Sequence, residues 1–260
     1  MSTPPKDAKR LVILPSYNSG PQLVRTARAV LARWSPVWVV LDGSTDASVA
    51  EIEALAEENE GLRVLRLSVN QGKGGATLVA MRAALAAGFS HALVMDADGQ
   101  HPADHVELFM RLSQENPAAM VLGVPVFGPD APAERVKGRK VGNWFANLET
   151  LWGGVGDSLF GFRLYPIAPS VRIMDSILTA RRFDFDTELA VRLFWAGVQP
   201  INRPVPVCYP PSETGGVTHF QYVRDNLLLV GTHTRLCLLM FPRLRKIWNL
   251  RQKWRNVTSS

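Results

Sequence analysis

Leu93-Val94-Met95-Asp96-Ala97-Asp98-Gly99-Gln100-His101-Pro102 ends a short apolar run in two carboxylates one residue apart, followed closely by an amide and an imidazole. A strand that stops here places both carboxylates at the carboxyl edge of a sheet, where open α/β folds bind ligands. Hard divalent cations take oxygen ligands, and Mg²⁺ is commonly held by one or two carboxylates together with substrate phosphates. The stretch reads either as a metal site that clamps a diphosphate or as a plain Asp/Gly turn after a strand. The rest of the chain bears on that choice.

Similar apolar runs recur on both sides of it. Leu11–Leu14, Val37–Leu41, Val64–Leu67, Ala92–Met95 and Met120–Val124 start 26 to 28 residues apart. Between them lie helical patterns over Pro21–Trp34, Ala47–Asn59 (with Asp46 placed to cap it), Ala76–Ala87 and Ala103–Glu115. This alternation predicts βαβ units, right-handed crossovers and a mainly parallel sheet. The second half is less regular. A helix is expected over Ala133–Trp152, a strand over Phe160–Tyr165, a helix over Phe185–Ala196 and an extended, Pro-punctuated segment over Ile201–Tyr209.

The 260 residues are 47% hydrophobic and 20% charged, enough for one substantial core and too apolar for wholesale disorder. Cys208 and Cys237 have no zinc-like spacing, so neither a disulfide framework nor a structural zinc is expected. Met1–Arg10 is polar, and no uninterrupted apolar run reaches the length of a membrane span, so neither a signal segment nor a spanning helix is expected and the default setting is cytoplasmic. The net charge of +6 sits in the tail. After Asp225 no acid remains, while Arg235, Arg243, Arg245, Lys246, Arg251, Lys253 and Arg255 follow. Leu244, Ile247, Trp248 and Trp254 fall near one helical face among these bases, which fits either an amphipathic helix on an anionic membrane surface or a helix docked on the core.

Three polar, Gly-containing loops precede helices. Pro15-Ser16-Tyr17-Asn18-Ser19-Gly20 and Leu41-Asp42-Gly43-Ser44-Thr45-Asp46 each follow a strand, and an Asp there can accept hydrogen bonds from a base or a ribose. In Gln71-Gly72-Lys73-Gly74-Gly75 the glycines permit close backbone approach to a phosphate at a helix start, with Lys73 as a point charge. The spacing is neither that of a Walker A loop nor that of a dinucleotide fingerprint.

Taken in order, Pro15-Ser16-Tyr17-Asn18, Asp42-Gly43-Ser44-Thr45-Asp46, Gly72-Lys73-Gly74 and Asp96-Ala97-Asp98-Gly99-Gln100-His101-Pro102 resemble the family-2 glycosyltransferases of GT-A fold. The nearest likeness is to their dolichol-phosphate mannosyltransferase-like branch. Arg139-Lys140 with Asn143, then Asp157 and Gly161-Phe162-Arg163, are similar to that branch after its metal motif. The resemblance implies a GT-A domain over residues 8–215, Rossmann-like, with a mainly parallel sheet flanked by helices. Residues 216–260 would form a donor-closing loop and a basic, membrane-contacting amphipathic tail. It also implies inverting transfer from a nucleotide-diphosphate sugar, with Mg²⁺ or Mn²⁺, to a lipid or lipid-linked acceptor at the inner face of the cytoplasmic membrane. Asp96, Asp98 and Gln100 would serve metal and diphosphate. Pro15, Tyr17, Asn18 and Asp42 would line the nucleoside pocket, Lys73 would sit near base or sugar, and Arg135 or Arg139 would face a phosphate. Two positions depart from the pattern: Leu41 stands where the family has a second Asp, and Phe160 where the branch has Ser before Gly-Phe-Arg.

Arg181-Arg182-Phe183-Asp184-Phe185-Asp186-Thr187-Glu188 is a second acid cluster at a helix start. Asp186 or Glu188 is the candidate general base for a hydroxyl acceptor, whereas a phosphate acceptor is already ionised and needs none. The same residues also suit plain capping and dipole roles. His219 and Arg224, around Gly215-Gly216, are candidates to contact metal or phosphate as the loop closes. Two rival readings are a sugar nucleotidyltransferase, which would carry a basic Gly-rich loop in place of Ser16–Gly20, and a non-catalytic nucleotide-sugar-binding scaffold. Nucleic acid is not an expected partner, because the tail has no recognition motif.

Overall fold

A computed structural model describes residues 9–128, 133–177, 179–207 and 222–258. The chain runs β1 (Arg10–Ser16), α1 (Pro21–Leu31), β2 (Val37–Asp42), α2 (Ser48–Glu58), β3 (Leu62–Leu67), α3 (Gly72–Ala86) and β4 (His91–Val94). It continues with α4 (Val106–Glu115), β5 (Ala119–Val126), α5 (Ala133–Glu149), β6 (Arg163–Pro166), α6 (Ile167–Asp175), α7 (Phe185–Ala196), β7 (Gln199–Pro206), α8 (Tyr222–Met240) and α9 (Leu244–Thr258).

Seven strands form one sheet in the order β3-β2-β1-β4-β6-β5-β7. All pairings are parallel except those of β6, which runs antiparallel to both β4 and β5. β1, β2 and β4 are buried on both faces, which is why they read as unbroken apolar runs rather than as alternations. Leu11 and Ile13 enter one core with α3, α6 and α7. Val12 and Leu14 enter the other with α1, α2 and α4. The chain winds outward through β1, β2 and β3, then returns to the opposite side of β1 with β4. That reversal opens a crevice at the carboxyl ends of β1 and β4, with Asp96 and Asp98 just beyond β4.

Most expected elements stand close to their predicted bounds, and four details differ. Asp46 does not cap α2, whose N-cap position is Ala47. Its carboxylate instead accepts from Gly20 N at 2.8 Å and Ser48 Oγ at 2.6 Å, tying the β1 and β2 loops together. The helix expected from Ala76 begins earlier, at Gly72, because the Asp42 carboxylate accepts from Gln71 N at 2.7 Å and Gly72 N at 2.9 Å. The expected single apolar face of the tail is split: Ile247 is fully buried and Leu250 and Trp254 pack on the core, while Leu244 and Trp248 point outward. Finally, helical residues Arg224–Trp254 are long and apolar enough, by length and composition alone, to cross a membrane, although no such helix is expected from uninterrupted runs. An averaged hydropathy tolerates the polar residues of α8, and these are bonded into the domain, as described below.

Candidate active site

Lys73 is the centre of the crevice. From the first turn of α3 its ammonium reaches Asp96 Oδ1 at 2.5 Å and Asp186 Oδ2 at 2.9 Å. It thereby joins the first acid of the β4 turn to the first turn of α7, 90 residues further on. Burial opposes its charge, but the two carboxylates outweigh burial and raise its pKa. Desolvation would raise Asp96, but Lys73, together with the other groups around the carboxylate, holds it below the usual carboxylate range. Asp186 goes the other way: its near-complete burial raises it despite Lys73 and Arg163, and its Oδ1 is buried with no partner.

The glycines around Lys73 do not leave an anion site open. Gly74 N and Gly75 N both donate to the Arg181 carbonyl, at 2.8 and 3.1 Å. A Cβ at Gly72 would meet that same oxygen, and one at Gly74 would strike Phe185. The Gly-rich turn admits the segment leading into α7 rather than a phosphate, and so brings Asp186 to Lys73.

Asp98 lies across the turn from Asp96. Its Oδ1 accepts from Gln100 N at 2.9 Å. Burial and the adjacent Asp96 charge push its carboxyl up to about 6. His101 folds back so that Asp96 N donates to its Nδ1 at 3.0 Å, which makes that nitrogen an acceptor. Burial pulls the imidazole down to about 4, so the ring is neutral and its proton sits on Nε2. Its edges pack on Phe160 and Phe162, with centroids 4.7 and 5.6 Å away. Phe160, at the position where Ser was expected, therefore supports the acidic turn. Among the described residues no three His, Cys, Asp or Glu side chains gather into a closed metal site. Two hard carboxylates in one turn, each raising the cost of the other's charge, nevertheless fit a divalent cation whose remaining ligands come from elsewhere.

Gly161-Phe162-Arg163 locks this arrangement. A Cβ on Gly161 would collide with both the Asp96 carboxylate and the Lys73 ammonium. Arg163 is wholly buried. It donates from Nε to the Phe160 carbonyl (2.7 Å), from one terminal nitrogen to Tyr165 Oη (3.2 Å) and the Asp186 carbonyl (2.5 Å), and from the other to the Asp157 carbonyl (2.9 Å). Asp157 in turn accepts from Arg139 (2.6 Å), Asn143 (2.9 Å) and the Leu159 and Phe160 amides. In the sequence Arg163 stands out only through the likeness of Gly161-Phe162-Arg163 to the family. Arg163→Met strands three carbonyls and a phenol in the core. Leaving buried partners unpaired costs about 3–5 kcal/mol. At about 2–4 °C per kcal/mol for a domain of this size, the melting temperature should fall by roughly 10 °C in a thermal scan.

The remaining expected residues divide. Pro15, Tyr17 and Asn18 stand at the end of β1, where Asn18 Oδ1 accepts from Thr45 N at 2.8 Å and Asn18 N donates to Ser44 Oγ at 3.0 Å. Asp42 borders the same rim, with both oxygens bonded to the start of α3, while Leu41 is buried in the core. Arg139 reaches the edge of the site through Asp157 and lies near the Phe127 and Phe160 rings. Glu188 is drawn away from Lys73. It is fully buried between Arg192 and Arg235. Arg224 pairs with Asp225 at 3.1 Å. His219 and the Gly215-Gly216 loop lie outside the described residues, as does the side chain of Arg135.

A β3-β2-β1-β4-β6-β5-β7 sheet with an Asp-x-Asp turn at its switch point is a GT-A glycosyltransferase architecture. The sequence profile for glycosyl transferase family 2 matches residues 11–170, and the chain belongs to that family. It is 27% identical over 221 residues to the undecaprenyl-phosphate mannosyltransferase of Micrococcus luteus, covering 79% of this chain and 85% of that one. It is 29% identical over 125 residues to the UDP-N-acetylglucosamine–dolichyl-phosphate N-acetylglucosaminyltransferase of Methanococcus voltae, covering 47% of this chain and only 49% of that one. The crystal structure of glucosyl-3-phosphoglycerate synthase from Mycobacterium tuberculosis, in complex with Mn²⁺ and uridine-diphosphate-glucose, matches at a TM-score of 0.55 and 19% identity, over 80% of this chain and 74% of that one. At that identity the likeness is one of fold.

Proposed function

We propose that this family-2 glycosyltransferase moves a sugar, with inversion, from a nucleotide diphosphate to a lipid phosphate at a membrane surface. The observation that carries the reading is the Asp96–Lys73–Asp186 arrangement at the switch point, beside the half-buried Asp98 turn. The two transferases compared above are each named for a polyprenyl phosphate, which supports the acceptor class. Asp96 and Asp98, with Gln100 at the turn, would hold Mg²⁺ or Mn²⁺. The ion would supply charge neutralisation at the leaving diphosphate. The nucleoside would lie along Pro15, Tyr17, Asn18 and Asp42, and the 216–260 segment would supply His219 and Arg224 toward the diphosphate.

The chain's own residues do the rest. Lys73 carries a fixed positive charge beside the first metal carboxylate, where it favours the anionic donor. An ionised phosphate attacks without a base, and Asp186 then serves to place Lys73. A second reading rests on one atom: the buried, unpartnered Oδ1 of Asp186 suits a general base for a hydroxyl acceptor. Asp186, rather than Glu188, takes that role, because Glu188 is committed to two arginines.

The tail would seat the domain on an anionic bilayer without crossing it. Leu227, Val230 and Leu238 form an exposed stripe on α8 that Phe241 extends just past its end, while Thr232, His233 and Arg235 are bonded inward. Incubating the full chain with undecaprenyl phosphate, Mn²⁺ and labelled UDP-glucose, UDP-N-acetylglucosamine or GDP-mannose should move label into the lipid from one donor. Label appearing only in hydroxyl acceptors would select the second reading, and no transfer to either would sink the proposal.

A further inference from the structure

The first turn of α7 packs three carboxylates into five residues, Asp184, Asp186 and Glu188, each 3% exposed or less. Like charges this close in a dry interior repel one another, and each needs its own partner. Lys73 supplies one for Asp186. The partners for the other two come largely from α8. Thr232 Oγ1 donates to Asp184 Oδ2 at 3.2 Å. One turn on, Arg235 donates to both oxygens of Glu188, sharing it with Arg192. On the same inner face His233 Nδ1 meets Glu149 Oε1 of α5 at 2.8 Å, and its ring stacks on Phe145. The outer face of α8 carries Leu227, Val230 and Leu238, with Phe241 exposed just past its end, and α5 exposes Val141 and Trp144.

From this geometry we infer that α8 is a strut between bilayer and active site. Arg235 and Thr232 are positioning residues that act through Glu188 and Asp184 to hold Asp186 against Lys73, and an anionic bilayer strengthens that hold by seating α8. The bilayer is the occupant because the exposed stripe continues into a segment that carries six bases, Arg243, Arg245, Lys246, Arg251, Lys253 and Arg255, and no acid. It favours the docked arrangement because a docked α8 offers its apolar stripe to the bilayer while its inner charges stay paired with the domain. A ligand shifts an equilibrium by such a difference between states. The inference rests on the membrane reading above and adds to it a consequence inside the site.

The test is hydrogen exchange on the full chain, with and without phosphatidylglycerol/phosphatidylcholine vesicles that contain no acceptor, alongside vesicle sedimentation. Without vesicles, Arg235→Met should speed exchange of the first helix-bonded α7 amides, from Glu188 onward, by about tenfold, with β1 and β4 unchanged and Arg235→Lys restoring most of the protection. Vesicles should slow the same amides in the unaltered chain and have no such effect in Arg235→Met. Should Arg235→Met loosen β1 and β4 as well, Thr232→Val, which keeps the side chain's shape and loses the Asp184 bond and the longer contact from Arg235, decides the same point. Unchanged α7 exchange in these variants overturns the strut. A chain that sediments with vesicles while its α7 exchange stays the same overturns the coupling. A chain that does not sediment overturns the membrane reading, leaving the variants to judge the strut alone.

Discussion

Replacing Gly161 by alanine is expected to lower transfer by about a hundredfold or more while the domain stays folded. The added methyl has nowhere to go but into the Asp96 carboxylate and the Lys73 ammonium. The backbone on either side cannot yield easily, because Asp157 and Arg163 hold Phe160 and the Gly123 amide holds the Phe162 carbonyl. The side chains must therefore move, and Lys73 carries Asp186 with it. A displacement of about 1 Å in a reacting constellation can cost about a hundredfold. Overpacking by one methyl costs about 1–3 kcal/mol of stability, which a domain of this size survives. Turnover and melting temperature measured on one preparation separate the two effects. Near-normal turnover would mean that the Asp96–Lys73 contact is not used in the reaction.

The same residue marks where the sequence stopped being legible. The parallel half of the sheet was readable because apolar runs recur at regular spacing, fully buried in β1, β2 and β4, and α7 because Phe185–Ala196 closes on Gly197. The β4 acids were readable because two carboxylates after a strand are chemically unusual. What periodicity does not carry is contact across long separations. Nothing local says that Lys73 bridges Asp96 and Asp186, that the glycines beside it accommodate Arg181 and Phe185 rather than a phosphate, or that Glu188 serves a helix 47 residues downstream. Gly161, Arg163 and Asp157 were visible only through family likeness, because their work consists of satisfying backbone carbonyls and leaving room. The tail misled for a related reason. Its apolar residues fall on more than one face, and which face meets the core depends on α5 and α7.

Asp98→Asn should abolish metal-dependent donor binding and cut transfer by about a thousandfold, yet make the metal-free protein more stable at alkaline pH. The first part follows from charge: a metal at a developing anion contributes several kcal/mol, and each 1.36 kcal/mol is tenfold in rate. The second follows from linkage. The folded carboxyl sits at about 6 against an ordinary aspartate value of 3.8, raised by burial and by Asp96. Between about pH 4 and pH 6 the folded chain therefore binds more protons than the unfolded one, and stability falls as pH rises through that window. Asparagine keeps an oxygen for the Gln100 amide and removes the charge, so the cost disappears above pH 6 and is not recovered below pH 4. Melting curves at pH 8 and pH 4, each with and without Mn²⁺ and a panel of UDP-, GDP- and TDP-sugars, read both parts together. The unaltered chain should gain stability only with metal and one donor present, and Asp98→Asn should lose that gain while melting higher in its absence at pH 8. A donor-dependent rise that survives the substitution would take the metal away from this turn. A variant less stable at pH 8 would show that Asp98 is there to build the turn and not to hold a cation.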